Sequence, residues 1–460
     1  MKTLSSIPAA PQMLPLLGHL VPLARDPLGF LESLPATGDV VRVRLGPAQA
    51  VVVCSPELTR EVLLHDRTFD KGGPLYHRIS EVLGGGVGTC PYGEHRRQRR
   101  LVQPAFHAAR IPDYAQVMTA QINSVIGSWR DGQEVDVLAE MMTITSSTLA
   151  ATMFADTLPP PVLRQALDDL TTILTGIYRR MLIPPPLDRL PTPGNRRYNQ
   201  ARTRLRETLQ ELVTRHRASS TNRNDLLSAR DSDEEGSSQG LSDTEIVDQA
   251  VTFFAAGAES TATAVAWALY LLTQHPDVYE AMRAEVDTVL AGHALTHADL
   301  PRLDLTHRVI TETLRLWPPA WMFTRTVTAD TQLNQHHLPA GTTIVYSPYL
   351  LHRHPELYER PHHFDPDRWL PDRAQSISRD AFIPFAAGAR KCIGDTFALT
   401  EATLALAAIT ARWHLHPLPG QQVRPAPVAT LRPKNLRLRA EDRSVKRLNA
   451  ITNIGFIRHI

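Results

Sequence analysis

The stretch from Asp243 to Gln274 constrains this chain more than any other, because it reads as one long helix that is apolar on every side. At 1.5 Å per residue it runs about 48 Å, the depth of a protein of this size. A helix that is apolar all round is a buried one, so this one passes through the body of the molecule. Residue 259, in the middle of that run, is a glutamate. An acid in an apolar, buried helix is costly unless it has a task. Gly257 and Ser260 beside it weaken a helix interior. Ala255-Ala256-Gly257-Ala258-Glu259-Ser260-Thr261 therefore reads either as a local kink with a solvated acid or as a proton relay beside a groove.

Around this helix the pattern is mixed. Val40 to Val53 alternates, is rich in valine and predicts a hairpin about Gly46-Pro47. A short helix is expected over Leu58–His65 behind the Ser55 cap. Residues 70–94, with Gly72-Gly73 and Gly84-Gly85-Gly86, read as a long loop of the kind that is usually functional. From about residue 115 the pattern is mostly helical, most strongly at 200–217, and short β segments return near 326–346. The acidic, polar run 229–242 reads as an exposed linker between helices. The fold class is mainly α with small β-sheets. A single domain over 1–440 is expected, followed by a basic, weakly patterned tail at 441–460.

Composition excludes several tasks. Apolar residues are 43% and charged residues 21%, the balance of an ordinary globular protein. With 49 basic and 47 acidic side chains the net charge is +2, which gives no support for nucleic-acid binding. Cys54, Cys90 and Cys392 form no disulfide framework and suit a reducing cytoplasm. Met1–Leu20 is broken by Pro8, Pro11 and Pro15. It is too interrupted to cross a membrane and lacks the order of a signal peptide. A soluble, cytoplasmic monomer without a membrane anchor is expected.

Cys392 has the most informative surroundings: Phe385-Ala386-Ala387-Gly388-Ala389-Arg390-Lys391-Cys392-Ile393-Gly394. A lone cysteine is ordinarily core filler. Here the glycines let the backbone approach a flat ligand closely, and the N–H groups of such a loop tune a sulfur ligand. Arg390 presents a fork of donors to a carboxylate, and Phe385 can shield the sulfur from water. This segment resembles the haem-binding loop of the cytochrome P450 family, Phe-x-x-Gly-x-Arg-x-Cys-x-Gly, at every fixed position. The resemblance implies that fold, with haem b between the long central helix and the cysteine loop and Cys392 as the iron ligand. A thiolate on haem iron favours O–O cleavage.

Three further motifs follow in the family's order. Ala256-Gly257-Ala258-Glu259-Ser260 resembles Ala-Gly-x-Asp/Glu-Thr, which implies that Glu259 and Ser260 deliver protons, with serine in place of the usual threonine. Glu312-x-x-Arg315 is a spacing that also occurs at Glu57–Arg60, Glu94–Arg97 and Glu280–Arg283. Leu316-Trp317-Pro318-Pro319 after it, and Phe364 to Trp369 further on, single it out, and the resemblance pairs it with Arg368 as a structural set. His95 and Arg99 lie one turn apart. They read as a solvated basic face or, by resemblance, as holders of a haem propionate together with Arg325 and Arg390. Arg96, Arg97, Arg100 and Lys391 read as a solvated face or as a docking patch for an acidic electron donor.

No Gly-x-Gly-x-x-Gly fingerprint follows a strand, so electrons must come from outside, from a ferredoxin and its reductase. The resemblance implies a monooxygenase that uses O2. Val87, Gly88, Thr252, Ala255, Ala256, Trp321 and Met322 are candidate lining residues, apolar and without a charge to hold a carboxylate. Ordinary core packing explains each of them equally well. Arg67 to Gly73 and Leu190 to Arg197 resemble bacterial terpenoid oxygenases of the pentalenene-oxygenase type. That likeness implies an apolar, sesquiterpene-like substrate in secondary metabolism, such as antibiotic biosynthesis. A fatty acid or macrolide stays open as substrate. A haem-thiolate sensor, electron carrier or peroxide-driven enzyme stays open as function.

Overall fold

The computed structural model describes residues 4–153, 158–181, 185–218 and 240–443. The helix Asp243–Gln274 forms without interruption. Ser242 sets its start: the Ser242 hydroxyl accepts from the N–H of Glu245 (3.2 Å), and the Glu245 carboxylate accepts from the N–H of Ser242 (2.8 Å). This reciprocal box satisfies two donors that a helix start leaves open. From Ile246 to Leu272 the helix is buried except at Ala256, Gly257, Ser260 and Tyr270.

Other helices wrap it. Val137–Met153 crosses so closely that a Cβ on Gly257 would stand 2.6 Å from Leu149 Cδ1. At the same crossing the Thr145 hydroxyl donates to the Ala258 carbonyl (2.6 Å). Asp395–Arg412 and Asp304–Leu316 pack on the central helix from other sides, as does Pro193–Ala218, which includes the helix expected at 200–217. Trp267 stacks on Trp317 at 4.3 Å and donates its indole N–H to the Leu431 carbonyl. The linker expected at 229–242 lies outside the described residues up to position 239.

The largest sheet lies beside this helical body. Its strand order is Val40–Leu45, Ala48–Val53, Thr343–Tyr346, Phe323–Val327, Phe69–Lys71. The expected hairpin and the β segments near 326–346 both take part. The helix behind Ser55 runs Pro56–Leu64, its first turn capped by the Ser55 hydroxyl. Register places Lys71 directly opposite Arg325. A second sheet of three strands, Glu134–Asp136, Arg437–Asp442 and Trp413–Pro417, closes the chain. Its middle strand runs two residues beyond the boundary expected at 440, and residues 444–460 lie outside the described part.

The long loop expected at 70–94 is a correction. Phe69–Lys71 is a strand and Gly73–Leu83 a helix, which leaves only Gly84–Pro91 as loop before the helix Tyr92–Val102. The glycines suggested looseness but serve close contact. At Gly84 (φ +67°) a Cβ would meet the Asp248 carboxylate at 2.3 Å, and at Gly72 it would meet Thr326 Oγ1 at 2.3 Å. Leu75, Tyr76 and Val82 bury one face of that helix.

The Glu312–Arg315 pair is fully buried. Arg315 donates through Nε and Nη2 to the two Glu312 oxygens (2.8 and 2.7 Å), and through Nη1 to the carbonyls of His352 and Pro361. Arg368 (3.4 Å), the indole of Trp369 (2.9 Å) and the N–H of Asp365 (3.1 Å) complete the carboxylate's shell. One acid thus ties the helix Asp304–Leu316 to the segment 359–369. Removing one partner of such a buried set strands the other charge. Glu312→Gln is expected to destabilise the protein by about 3–5 kcal/mol in denaturant unfolding. The half-exposed pair Glu280–Arg283 is expected to change stability by no more than about 1 kcal/mol in Glu280→Gln.

Candidate active site

The cysteine loop is a closed backbone turn. Cys392 N–H donates to the Phe385 carbonyl (2.9 Å), Lys391 N–H to Gly388 (3.1 Å) and Ala386 N–H to Ile383 (3.0 Å). Gly388 has φ +70°, and a Cβ there would stand 2.3 Å from the Leu63 carbonyl oxygen, so only glycine fits. The turn leaves Cys392 exposed and Arg390 buried. The thiol is reachable by water yet surrounded by protein. Desolvation there pushes its pKa up, and the Gly394 N–H on the sulfur opposes the rise.

The helix Tyr92–Val102 fastens this loop to the central helix. On one side Arg99 Nη1 donates to the Lys391 carbonyl (2.5 Å) and to that of Ala389 (3.4 Å). On the other, Gln249 donates to Gln98 (2.8 Å), and Arg97 pairs with Glu245. Phe106 spans the same gap, 5.1 Å from the Phe253 ring and against Gly394. The expected basic patch therefore keeps Arg96, Arg100 and Lys391 exposed, and Arg97 turns to the central helix. Lys391 is paired with Asp395 (2.5 Å).

Cations crowd around His95. Arg325 is 2% exposed, lies between the rings of Tyr76 and Tyr346, and has no partner for Nε or Nη1 among the described residues. Lys71 is half-buried beside it and donates to the carbonyls of Gly88 (2.6 Å) and Val87 (3.2 Å). Burial and the guanidiniums of Arg390 and Arg325 push the Lys71 ammonium down to about 7. His95 is buried as well. Desolvation, followed by Arg390, Lys71, Arg99 and Arg325, pushes its imidazole down to about 3. Arg390 itself is spoken for in part: it donates to Asp66 (3.2 Å), to Asp70 (2.8 Å) and to the Cys90 carbonyl (2.9 Å).

The central helix faces the site with small residues. Thr252, Ala256 and Ser260 fall four apart and so share a face. Ala256 is exposed, Ser260 is half-buried and donates to the Ala256 carbonyl (2.7 Å), and the buried Thr252 hydroxyl has no partner among the described residues. Gly88 packs on that face: a Cβ there would stand 2.9 Å from the Thr252 methyl. Val87 is buried, its N–H donating to Gln249 (3.0 Å). Ala255 is buried too. Trp321 stands apart, packed into the sheet-side core, with its ring against Tyr178 and its indole N–H on the Val428 carbonyl. Met322 lies half-buried against the same core. Phe385 is half-buried beside the main helical core.

Glu259 is wholly buried. Its Oε1 accepts from the Thr430 hydroxyl (2.5 Å), with Arg432 Nη1 3.6 Å away, while Oε2 has no partner among the described residues. Burial pushes its carboxyl up, against the pull of Thr430 and Arg432. Glu259 and Ser260 are not hydrogen-bonded to each other. Adjacent helix positions point about 100° apart, and the acid has turned towards the Val428–Thr430 turn.

A cytochrome P450 family model matches residues 8–439. The chain belongs to the cytochrome P450 family. It is 45% identical to pentalenene oxygenase of Streptomyces avermitilis over 95% of this chain and 97% of that one. It is 44% identical to cyclooctat-9-en-7-ol 5-monooxygenase of Streptomyces melanosporofaciens, over 89% and 90%. The crystal structure of the cytochrome P450DA heme domain superposes with a TM-score of 0.85 at 28% identity, covering 95% of this chain and 98% of that one. This cytochrome P450 is thus a haem-thiolate monooxygenase that uses O2 and electrons from a redox partner. No helix among the described residues is long and apolar enough to cross a membrane.

The residues present fit a haem. Cys392 is exposed, and the buried Arg325 nitrogens without partners among the described residues suit the carboxylates that haem carries. Lys71 and Thr430 are the two residues that sequence reasoning missed. Lys71 gave a signal only through its place in a strand opposite Arg325, and Thr430 gave none. Arg325→Gln in the haem-loaded protein removes a charge-assisted hydrogen bond of about 1.5–3 kcal/mol. Transfer of haem to an apoglobin is expected to run roughly 10- to 100-fold faster. An unchanged rate assigns Arg325 to packing alone.

Proposed function

We propose that this cytochrome P450 inserts one oxygen atom into a terpene hydrocarbon or alcohol of bacterial secondary metabolism. We propose haem b as its cofactor, a ferredoxin and its reductase as electron donors, and a cytoplasmic monomer as the working form. The accessible break at Ala256 in an otherwise buried helix carries the reading. Thr252 and Ser260 share its face, Gly88 packs on Thr252, and none of them is charged; a site with few polar anchors suits a hydrocarbon-like ligand. The 44–45% identity to enzymes named for pentalenene and for cyclooctat-9-en-7-ol supports the substrate class.

Haem bound through Cys392 supplies O–O cleavage, helped by electron donation from the sulfur. The chain supplies the rest. Cys392 gives the thiolate, and the Gly394 N–H on it moderates its charge. Arg325, Arg99 and His95 hold carboxylates at the rim, and Arg390 braces the loop through Asp66 and Asp70. Phe385 shields the sulfur side. Ser260 presents its hydroxyl on the open face and hands on protons that arrive by way of Glu259. A carboxyl whose pKa is raised by burial keeps a proton to give at a higher pH than an exposed one. To serve that step Glu259 must leave Thr430 and swing towards the open face. The serine at 260 lacks the methyl that stiffens threonine at χ1, so its hydroxyl is held less firmly.

Titration of the reconstituted enzyme with pentalenene-like hydrocarbons and diterpene alcohols is expected to give a low-to-high-spin shift. Turnover should require ferredoxin and reductase and should not run on peroxide alone. No spin shift with any terpene, beside a clear one with fatty acids or macrolides, moves the substrate class. Ser260→Ala is expected to leave the spin shift intact and to lower product per NAD(P)H, by up to about 100-fold if the full effect of a proton-transfer group is lost. An unchanged ratio removes Ser260 from the relay.

A further inference from the structure

The C-terminal sheet carries a set of side chains that oxygen chemistry does not use. In the strand Trp413–Pro417 the residues alternate, with Trp413 and Leu415 buried and His414 and His416 on the outer face. Across the ladder, register sets Glu441 directly opposite His414. Directly opposed residues of an antiparallel pair project on the same face. Two imidazoles and a carboxylate therefore converge, one ligand atom from each lying within 4.8 Å of the other two.

The group is held in place. The His414 ring stacks on Tyr279 of the helix Pro276–Leu290 at 4.5 Å and 16°, and the two imidazole centroids are 4.0 Å apart. His416 Nε2 lies 2.6 Å from Glu441 Oε2. A cavity of about 190 Å³ opens beside the histidines, lined also by Thr273, Tyr279 and Glu280. Two cations lie near: Arg439, opposite His416, is exposed, and Arg443 is tied to Asp287 (2.6 Å) and to the Thr410 carbonyl.

We propose that His414, His416 and Glu441 bind one Zn2+ ion on the outer face of this sheet. Two nitrogens and one carboxylate are a donor set that zinc takes readily, with water in the fourth position. Hard cations such as Mg2+ and Ca2+ prefer oxygen alone. Ligands about 2.1 Å from a tetrahedral zinc stand roughly 3.4 Å apart. The direct contact between His416 and Glu441 needs to open by less than about 1 Å, and a carboxylate rotamer at a half-buried site supplies that. The ion would clasp the last described strand to the one beside it and, through the Tyr279 stack, to the helix Pro276–Leu290.

The test uses untagged, haem-loaded enzyme, freed of adventitious metal by chelation. Isothermal titration with Zn2+ alone is expected to give one site of micromolar or better affinity and a higher melting temperature, since an ion that binds only the folded state stabilises it. Mg2+ is expected to do neither. His414→Gln/His416→Gln is expected to weaken binding by about 100-fold or more, beyond the 10- to 100-fold typical of supporting residues, and to keep the carbon monoxide spectrum of the parent. Should the double variant fail to fold, Glu441→Gln and His416→Gln singly carry the comparison. Zinc binding equal in parent and variants, or no binding and no thermal shift in the parent at a hundred micromolar zinc, overturns the proposal.

Discussion

Everything in this molecule is arranged around the need to cover one helix on all sides. Asp243–Gln274 offers no polar face to water, so other helices and the turn before Leu431 close over it. Burial of that length is favourable only if packing is close. Gly257 and the alanines near it let the helix Val137–Met153 come within reach of a hydroxyl-to-carbonyl bond at Thr145. In the same stretch Ala256 is exposed and Gly257 and Ser260 are half-buried. The site is thus the place where a tightly wrapped helix is left open.

Charge is handled in two ways in this fold. In the Glu312–Arg315 set every donor meets an oxygen, and the burial of both ions is balanced by a full shell of hydrogen bonds. Around His95 the balance is withheld. Lys71, Arg99, Arg325 and Arg390 approach one another around His95, Arg325 Nε and Nη1 have no partner among the described residues, and Lys71 is driven down to about 7. The first arrangement ties segments together. The second leaves positive charge only partly met, which suits an anionic ligand. The distinction separates arginines with a full shell of partners from those left partly unmet, which spacing in sequence does not do.

The acid on the central helix shows how a neighbour from far along the chain changes a residue's meaning. Thr430, 171 residues away, holds Glu259 on the side away from Ser260, and Arg432 lies close by. The proposed relay along the helix would therefore need a step in which the acid changes partner. Arg390 is a parallel case, since Asp66 and Asp70 take donors that its motif alone would send to a haem carboxylate.

The long helix, the valine hairpin, the cysteine turn and the Glu-x-x-Arg set were legible in the sequence, because each depends on local periodicity or on residue types at short fixed spacings. The segment 70–94 was not: glycines that suggest a free loop are there because Asp248 and Thr326 press against the backbone, a contact that composition does not encode. Trp321 could not be told from a lining residue, since core and cavity walls use the same side chains. Lys71 beside Arg325, Thr430 on Glu259, and Glu441 across from His414 arise only when strands and turns from distant parts of the chain are brought into register. Local physics set the elements and the ligand loop. Long-range packing decided which polar groups have partners, and so which of them remain free to act.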